Sequence, residues 1–190
     1  MKRAVLLDRD GVLNALVWYA DTEARESPRF PKDLYVFANV PAALRRLHDA
    51  GWLLLVVSNQ PNIAKGKSTR QELDAVHAEL LAQLASHGAR LDGAYYCFHH
   101  PDFKAPCTCR KPQPGLLLQA AKEHDLDLAQ CWMVGDTDTD IAAGHAAGCR
   151  TAKVREPRGA ARVSTIAADA TCADLAQFAE RLLSGTLRAG

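Results

Sequence analysis

The sequence carries no surplus of charge, with 23 basic residues against 22 acidic ones and a formal net charge of +1. That balance argues against a nucleic-acid backbone or an anionic membrane surface as the main partner, although a small anionic ligand needs only a local site. Long hydrophobic runs are missing too, so no stretch reaches the length of a transmembrane helix. Met1-Lys2-Arg3 followed by Ala4 to Leu7 begins like a secretion signal, but Asp8-Arg9-Asp10 interrupts it before a hydrophobic region can form. The expected compartment is the cytoplasm, where the six cysteines stay reduced and metal binding is a better use for them than a disulfide framework. Internal repeats, low-complexity tracts and interdomain linkers are also lacking. With 190 residues the expectation is one domain spanning 1–190, with a monomer as the default.

What is present is organised around Ala4-Val5-Leu6-Leu7-Asp8-Arg9-Asp10-Gly11-Val12-Leu13-Asn14. An apolar run without polar alternation suits a central strand of a parallel sheet, and Gly11 lets the backbone turn sharply away after it. Ligands of open sheets bind beyond the carboxyl ends of the strands. Two carboxylates placed there, Asp8 and Asp10, repel one another unless a cation or a proton intervenes, so they suggest a metal site or acid/base work. The bland alternative is a solvated turn.

Residues 15–39, with Trp18, Tyr19, Phe30 and Tyr35, read as a long surface excursion that its aromatic residues pack down and that shapes a ligand entrance. Pro41 to Gly51 reads as a helix, and Trp52 to Asn59 as a second buried strand ending in polar residues. Thr69 and Glu72 form a capping-box pattern ahead of the apolar stripe Leu73, Val76, Leu80, Leu81 and Leu84. Further strands are expected at 94–98, 131–136 and 151–154, helices at 112–125, 141–147 and 173–183, and a loop at Arg155 to Gly159. Strands alternating with helices give an α/β fold, a Rossmann-like three-layer sandwich around a central parallel sheet, without a large cap domain.

Three strand ends then meet in one crevice with Asp8, Asp10, Ser58, Asn59 and Asp136, and Asp140 lies one helical turn further on. Arg110-Lys111-Pro112 supplies the basic residues. Carboxylates with a divalent cation, a hydroxyl, a lysine and helix N-termini suit a phosphoryl group. Asp8-Arg9-Asp10-Gly11, Ser58-Asn59-Gln60, Arg110-Lys111-Pro112 and Gly135-Asp136-Thr137-Asp138-Thr139-Asp140 resemble, in order, the four motifs of the haloacid dehalogenase superfamily. Within it the chain is similar to uncapped phosphatases acting on D-glycero-D-manno-heptose 1,7-bisphosphate and to relatives acting on histidinol phosphate. The resemblance covers about Ala4 to Val154 and includes Ile63-Ala64-Lys65-Gly66-Lys67.

The resemblance implies that Asp8 is the nucleophile and becomes an aspartyl-phosphate, while Asp10 protonates the leaving alkoxide and then deprotonates water. It implies magnesium held by Asp8, the backbone carbonyl of Asp10 and Asp136. Ser58 and Asn59 would position the phosphoryl group, Lys111 would balance its charge, and Asp140 would orient the metal shell or the lysine. Arg110 is a candidate for substrate contact, and Arg9 is expected to face away from the two acids in a structural role.

A second constellation is Cys97-Phe98-His99-His100 followed by Cys107-Thr108-Cys109. Three cysteines and a histidine make a tetrahedral zinc set that the loop 97–109 can wrap. The resemblance favours His99 over His100, and the zinc would be structural, fixing Arg110-Lys111 behind Cys109. Cys131, Cys149 and Cys172 read as buried small apolar residues. His48, His77, His87, His124 and His145 read as ordinary surface or packing residues.

Two rival readings have less support. Gly66-Lys67-Ser68 lies where a nucleotide-binding P-loop would end, but the first glycine of that motif would be at position 61, which is Pro61. A zinc module binding nucleic acid lacks a basic stripe and leaves Asp8, Asp10 and Asp136 unused. The chain also departs from the sugar-bisphosphate phosphatases. Pro61-Asn62 replaces their usual Ser-Gly, Thr137 stands where lysine is frequent, the first loop is longer and the zinc loop shorter. The expectation is therefore a magnesium-dependent phosphatase of a small phosphorylated sugar, with heptose 1,7-bisphosphate leading and histidinol phosphate second. No nucleic-acid or membrane partner is expected.

Overall fold

The computed structural model describes residues 1–103, 107–155 and 165–187. The first strand, β1, runs over Ala4–Leu7, and every residue of it is buried. A hairpin follows, β2 (Val17–Tyr19) and β3 (Ala24–Glu26), and then helix α1 (Val40–Asp49). Next come β4 (Leu53–Asn59), α2 (Arg70–Ser86), β5 (Gly93–Cys97) and α3 (Gly115–His124). The chain continues through β6 (Trp132–Gly135), α4 (Asp138–Ala147), β7 (Arg150–Val154), β8 (Ala170–Cys172) and α5 (Leu175–Leu183).

Six strands form one sheet in the order β5-β4-β1-β6-β7-β8, parallel throughout. The period of two along β1 divides the core between the layers. Val5 and Leu7 join the cluster covered by α1, α2 and α5, with Leu44, Leu80 and Phe178 at its centre. Ala4 and Leu6 join the opposite cluster, covered by α3 and α4 through Leu117, Ala120 and Ala143. This is the expected Rossmann-like sandwich. Successive segments are laid first to one side of β1 and then to the other, so the crevice at a switch point opens where β1 ends.

Several local expectations change. The excursion 15–39 contains the β2–β3 hairpin, and of its four expected packing aromatics Tyr19 is half-buried under the Arg29 guanidinium while the other three stay largely exposed. Trp18, Tyr35 and Phe30 remain 58%, 47% and 37% exposed. Polar links do the work instead, with Tyr19 donating to Asp33 at 2.7 Å and Arg29 bridging Asp21 at 2.7 Å and Glu26 at 2.8 Å. A sixth strand, β8, extends the sheet beyond the five expected; at three residues it is too short to show a periodicity. Helix α3 starts at Gly115 rather than at 112, because the Gly115 N–H is taken by the Thr108 carbonyl at 3.0 Å. A Cβ at Gly115 would lie 2.2 Å from that carbonyl oxygen, so the cysteine loop presses directly on the helix start. Conversely α4 begins earlier, at Asp138. The loop read at Arg155 to Gly159 lies, after Arg155, outside the described residues. No described helix is long and apolar enough to cross a membrane.

Candidate active site

Asp8 follows the last residue of β1 and donates its N–H to Val134 of β6 at 2.9 Å, which extends the strand by one bond and fixes the carboxylate at the sheet edge. Gly11 then turns the chain with φ +92°, a conformation that favours glycine. There is no room for a side chain either, since a Cβ there would stand 2.5 Å from Asp136 Oδ2. Gly135 does the same for Asp140, whose carboxylate would lie 2.4 Å from an added Cβ. Two glycines thus let two acidic residues pack against backbone. Carboxylate oxygens of Asp8, Asp136 and Asp140, all buried, lie within 4.8 Å of one another.

Lys111 enters this cluster from the opposite side. Its ammonium lies 3.0 Å from Asp8 Oδ1 and 2.6 Å from Asp140 Oδ1, and donates to the Val57 carbonyl at 2.7 Å. Burial alone would lower its pKa, but Asp140 and then Asp8 outweigh it and raise the pKa above the ordinary lysine value. Burial pushes Asp8 the other way, up to about 6, reinforced by Asp140 and Asp10 and opposed by Lys111 and a hydrogen bond from Ser58. The second oxygen of Asp140 accepts from the Thr137 N–H at 3.0 Å and its hydroxyl at 2.6 Å, which caps α4. Asp140 thus touches Lys111 and also stands among the carboxylates that could hold a metal, so both roles expected for it keep a contact.

Asn59 has a contact that the sequence alone does not show. It lines the cavity, yet its amide pairs reciprocally with Lys111, donating to the carbonyl at 3.0 Å and accepting the N–H at 3.0 Å. It fixes the lysine in place and so acts on the site through it. Arg9 requires a correction: it does not face away from both acids. Its buried guanidinium donates to Asp10 at 3.2 Å and to Gln60 Oε1 at 2.9 Å. Strand alternation would have turned it away, but alternation ends with β1 at Leu7, and the turn at Gly11 brings Asp10 back alongside it.

Asp10 also accepts from Asn14 at 2.8 Å and from Gln60 at 2.6 Å, and Gln60 donates on to Ser58 at 3.2 Å. Gln60 and Asn14 are contacts of Asp10 that the sequence reading does not single out. Gln60 closes the second motif and Asn14 lies four residues after Asp10, but no local pattern says which way an amide side chain points. The cavity in front of these groups has a volume of about 310 Å³ and is lined by Ser58, Asp136 and Arg110 among others.

The sulfur cluster lies beside it. Cys97, His99, Cys107 and Cys109 bring their ligand atoms within 4.8 Å of one another. Cys109 Sγ lies 3.0 Å from Cys97 Sγ, 3.4 Å from Cys107 Sγ and 3.2 Å from His99 Nδ1. Burial, with hydrogen bonds to Cys97 and Cys107, raises the Cys109 thiol well above its ordinary value. His100 turns elsewhere, with Nδ1 accepting from the Asp102 N–H at 3.3 Å. The remaining cysteines, Cys131, Cys149 and Cys172, are buried in the core, the first two in one cluster.

Over 189 residues the chain is 35% identical to the D-glycero-beta-D-manno-heptose-1,7-bisphosphate 7-phosphatase of Pseudomonas aeruginosa, across 96% of this chain and 99% of that one. The chain belongs to the haloacid dehalogenase, or HAD, family of phosphatases. A family model described as HAD-hydrolase-like matches residues 108–178 of this HAD phosphatase. Identity is 41% over 158 residues to the D-glycero-D-manno-heptose-1,7-bisphosphate 7-phosphatase of Thermosynechococcus vestitus, covering 77% of this chain and 75% of that one. The fold is similar to the crystal structure of a D,D-heptose 1,7-bisphosphate phosphatase from B. bronchiseptica complexed with magnesium and phosphate. That match has a TM-score of 0.79 at 32% identity, over 97% of this chain and 99% of the other. A HAD-like phosphatase from Mesorhizobium loti also matches with a TM-score of 0.79, at 28% identity over 100% of this chain and 88% of the other.

Proposed function

We propose that this phosphatase removes the 7-phosphate of D-glycero-D-manno-heptose 1,7-bisphosphate. The observation that carries the chemistry is the buried Lys111 between Asp8 and Asp140, 3.0 Å and 2.6 Å away, at the floor of a polar cavity. The substrate is carried by likeness to heptose-bisphosphate phosphatases over nearly the whole chain. In this reading Asp8 attacks phosphorus and takes the phosphoryl group as an aspartyl-phosphate. Lys111 offsets the charge that this brings to the floor, and Ser58 donates toward the transferred group. Asp10 gives a proton to the leaving alkoxide and later takes one from the attacking water. Arg9, Asn14 and Gln60 hold Asp10 in one orientation, so both transfers use a positioned carboxyl.

The all-oxygen donors Asp8 and Asp136, the latter packed against Gly11, fit a hard divalent cation. Magnesium bound there, with the Asp10 carbonyl, would withdraw charge from the phosphoryl oxygens. The three thiols and one imidazole of Cys97, His99, Cys107 and Cys109 are a donor set that fits a structural zinc, which would tie the loop to the end of β5. The protein is taken to be a single-domain cytoplasmic monomer working without nucleic acid. The test is phosphate release with magnesium from both anomers of heptose 1,7-bisphosphate and from histidinol phosphate, each beside an Asp8→Asn control. A preference for one heptose anomer is expected, and equal slow release from all three would overturn the substrate.

A further inference from the structure

The Arg9 guanidinium that orients Asp10 is itself held from behind. Arg9 donates through Nε and Nη2 to Asp10 and through Nη2 to Gln60. Its guanidinium carbon also lies 5.7 Å from the centre of the Tyr96 ring, within cation–π range. Tyr96 Oη stands 2.9 Å from Nδ1 of His77 on α2, and the two rings meet edge-on with centres 5.5 Å apart. A continuous chain of contacts therefore runs from Asp10 through Arg9 and Tyr96 to His77. Neither Tyr96 nor His77 lines the cavity, and the sequence suggested His77 only as a surface or packing residue.

The end of β5 places Tyr96 there by strand alternation. Tyr95 and Cys97 turn to the face covered by α3, where Cys97 joins the sulfur cluster, while Tyr96 turns to the opposite face, covered by α2. Tyr96 is the register partner of Ser58, so it stands beside the second motif. The direction of its hydrogen bonds follows from the charges. A guanidinium can only donate, so the Tyr96 oxygen accepts on that side and its proton points to His77, whose Nδ1 accepts in the neutral ring. Burial, then Arg9, pull His77 below the ordinary imidazole value against Asp74, which favours that neutral ring. Burial raises the Tyr96 hydroxyl, and the Arg9 charge and a hydrogen bond from Arg9 oppose it.

We infer that Tyr96, backed by His77, is a positioning residue for the general acid: it fixes the Arg9 guanidinium and through it the direction in which Asp10 presents its proton. This rests on the reading of Asp10 as the group that protonates the leaving oxygen. Without the Tyr96 hydroxyl, Arg9 keeps Asp10 and Gln60 but loses the contact that stops it tilting. A carboxyl displaced by a fraction of an ångström transfers its proton poorly, while Asp8, Lys111 and Asp136 stay where they are.

The test measures kcat/KM in saturating magnesium for two aryl phosphates of similar shape. Nitrophenolate leaves p-nitrophenyl phosphate readily as an anion, whereas the phenolate of phenyl phosphate gains far more from a proton. The proteins compared are the wild type, Asp10→Asn, Tyr96→Phe, His77→Leu and His77→Asn. Tyr96→Phe keeps the ring and its packing, and His77 is only half-buried, so these variants should fold. The ratio of kcat/KM for phenyl phosphate to that for p-nitrophenyl phosphate should fall at least a hundredfold in Asp10→Asn. It should fall about tenfold in Tyr96→Phe and in His77→Leu. His77→Asn keeps an acceptor near the place of Nδ1 and should recover most of the ratio. A purely structural role would lower both rates together, so a wild-type ratio in Tyr96→Phe would overturn the inference alone. A fall confined to Tyr96→Phe, with His77→Leu like the wild type, would trace to the neighbouring Cys97 and overturn it as well. A wild-type ratio in Asp10→Asn would overturn the acid reading and the inference together.

Discussion

At the scale of single residues, the Asp8–Lys111–Asp140 contact makes the two charge signs unequal in their effect on stability. Folding raises Asp8 from 3.8 to about 6, so the folded chain holds that proton more tightly than the unfolded one. Between roughly pH 4 and 6, rising pH therefore removes stability through this group, and at neutral pH its ionised form opposes folding. Asp8→Asn should abolish phosphate release. Without added divalent cation it should also raise the melting temperature by roughly 2–4 °C, about 1 kcal/mol. Lys111 is not stranded by that change, since Asp140 and the Val57 carbonyl still bind it. Lys111→Met should have the opposite effect on stability. It leaves two buried carboxylates facing each other, a loss of about 3–5 kcal/mol and on the order of 10 °C, and it is inactive as well. Calorimetry on both variants checks the contrast, and two falling melting curves would contradict it. The residues of this cluster were legible in the sequence because strand-end acids and a basic motif announce themselves by order. Arg9 and Gln60 were not, because their roles depend on where β1 stops alternating and on a side-chain direction set by the Gly11 turn.

At the scale of elements, the sheet and its helices were readable wherever an apolar run or a capping pattern was long enough. Thr69 and Glu72 do form the expected box, with the Glu72 N–H at 3.2 Å from Thr69 Oγ1 and the Thr69 N–H at 2.7 Å from Glu72 Oε2. The hairpin was not readable. Its strands have three residues each and are held by polar links, so they carry no hydrophobic alternation. The same organisation makes the hairpin separable. Val17 and Glu26 are register partners, and none of residues 17–26 belongs to either buried core cluster. Replacing residues 17–26 with a short glycine linker should leave the far-ultraviolet circular dichroism unchanged, while taking Asp21 and Glu26 away from the buried Arg29 should lower the melting temperature by roughly 4–8 °C, about 2 kcal/mol. A collapse of the melting transition on this deletion would show that the hairpin is part of the folding unit.

Across the whole molecule, the cysteine cluster and the catalytic floor form one mechanical unit. Cys109 is followed directly by Arg110 and Lys111, Asn59 grips Lys111 by both its N–H and its carbonyl, and Thr108 braces the first residue of α3. A zinc ion in the cluster would hold one end of this path while β4 holds the other, so losing the zinc should be felt at Lys111. Metal analysis should find one zinc per chain. Stripping it with a mercurial thiol reagent and a chelator, then removing the mercurial, should lower the melting temperature by roughly 10 °C and kcat at least tenfold in saturating magnesium. A shift of that size corresponds to about 3–5 kcal/mol in a chain of this length, a fraction of the free energy with which structural zinc can support folding. Zinc, but not further magnesium, should restore both. A brief chelator treatment that leaves the zinc in place should instead abolish turnover without moving the melting transition much, and magnesium alone should reverse it. The two metals would then be separated by their readouts, one setting the shape around Lys111 and the other the charge around Asp8. If zinc removal lowered stability with kcat intact, the cysteine loop would be a structural staple independent of the catalytic lysine.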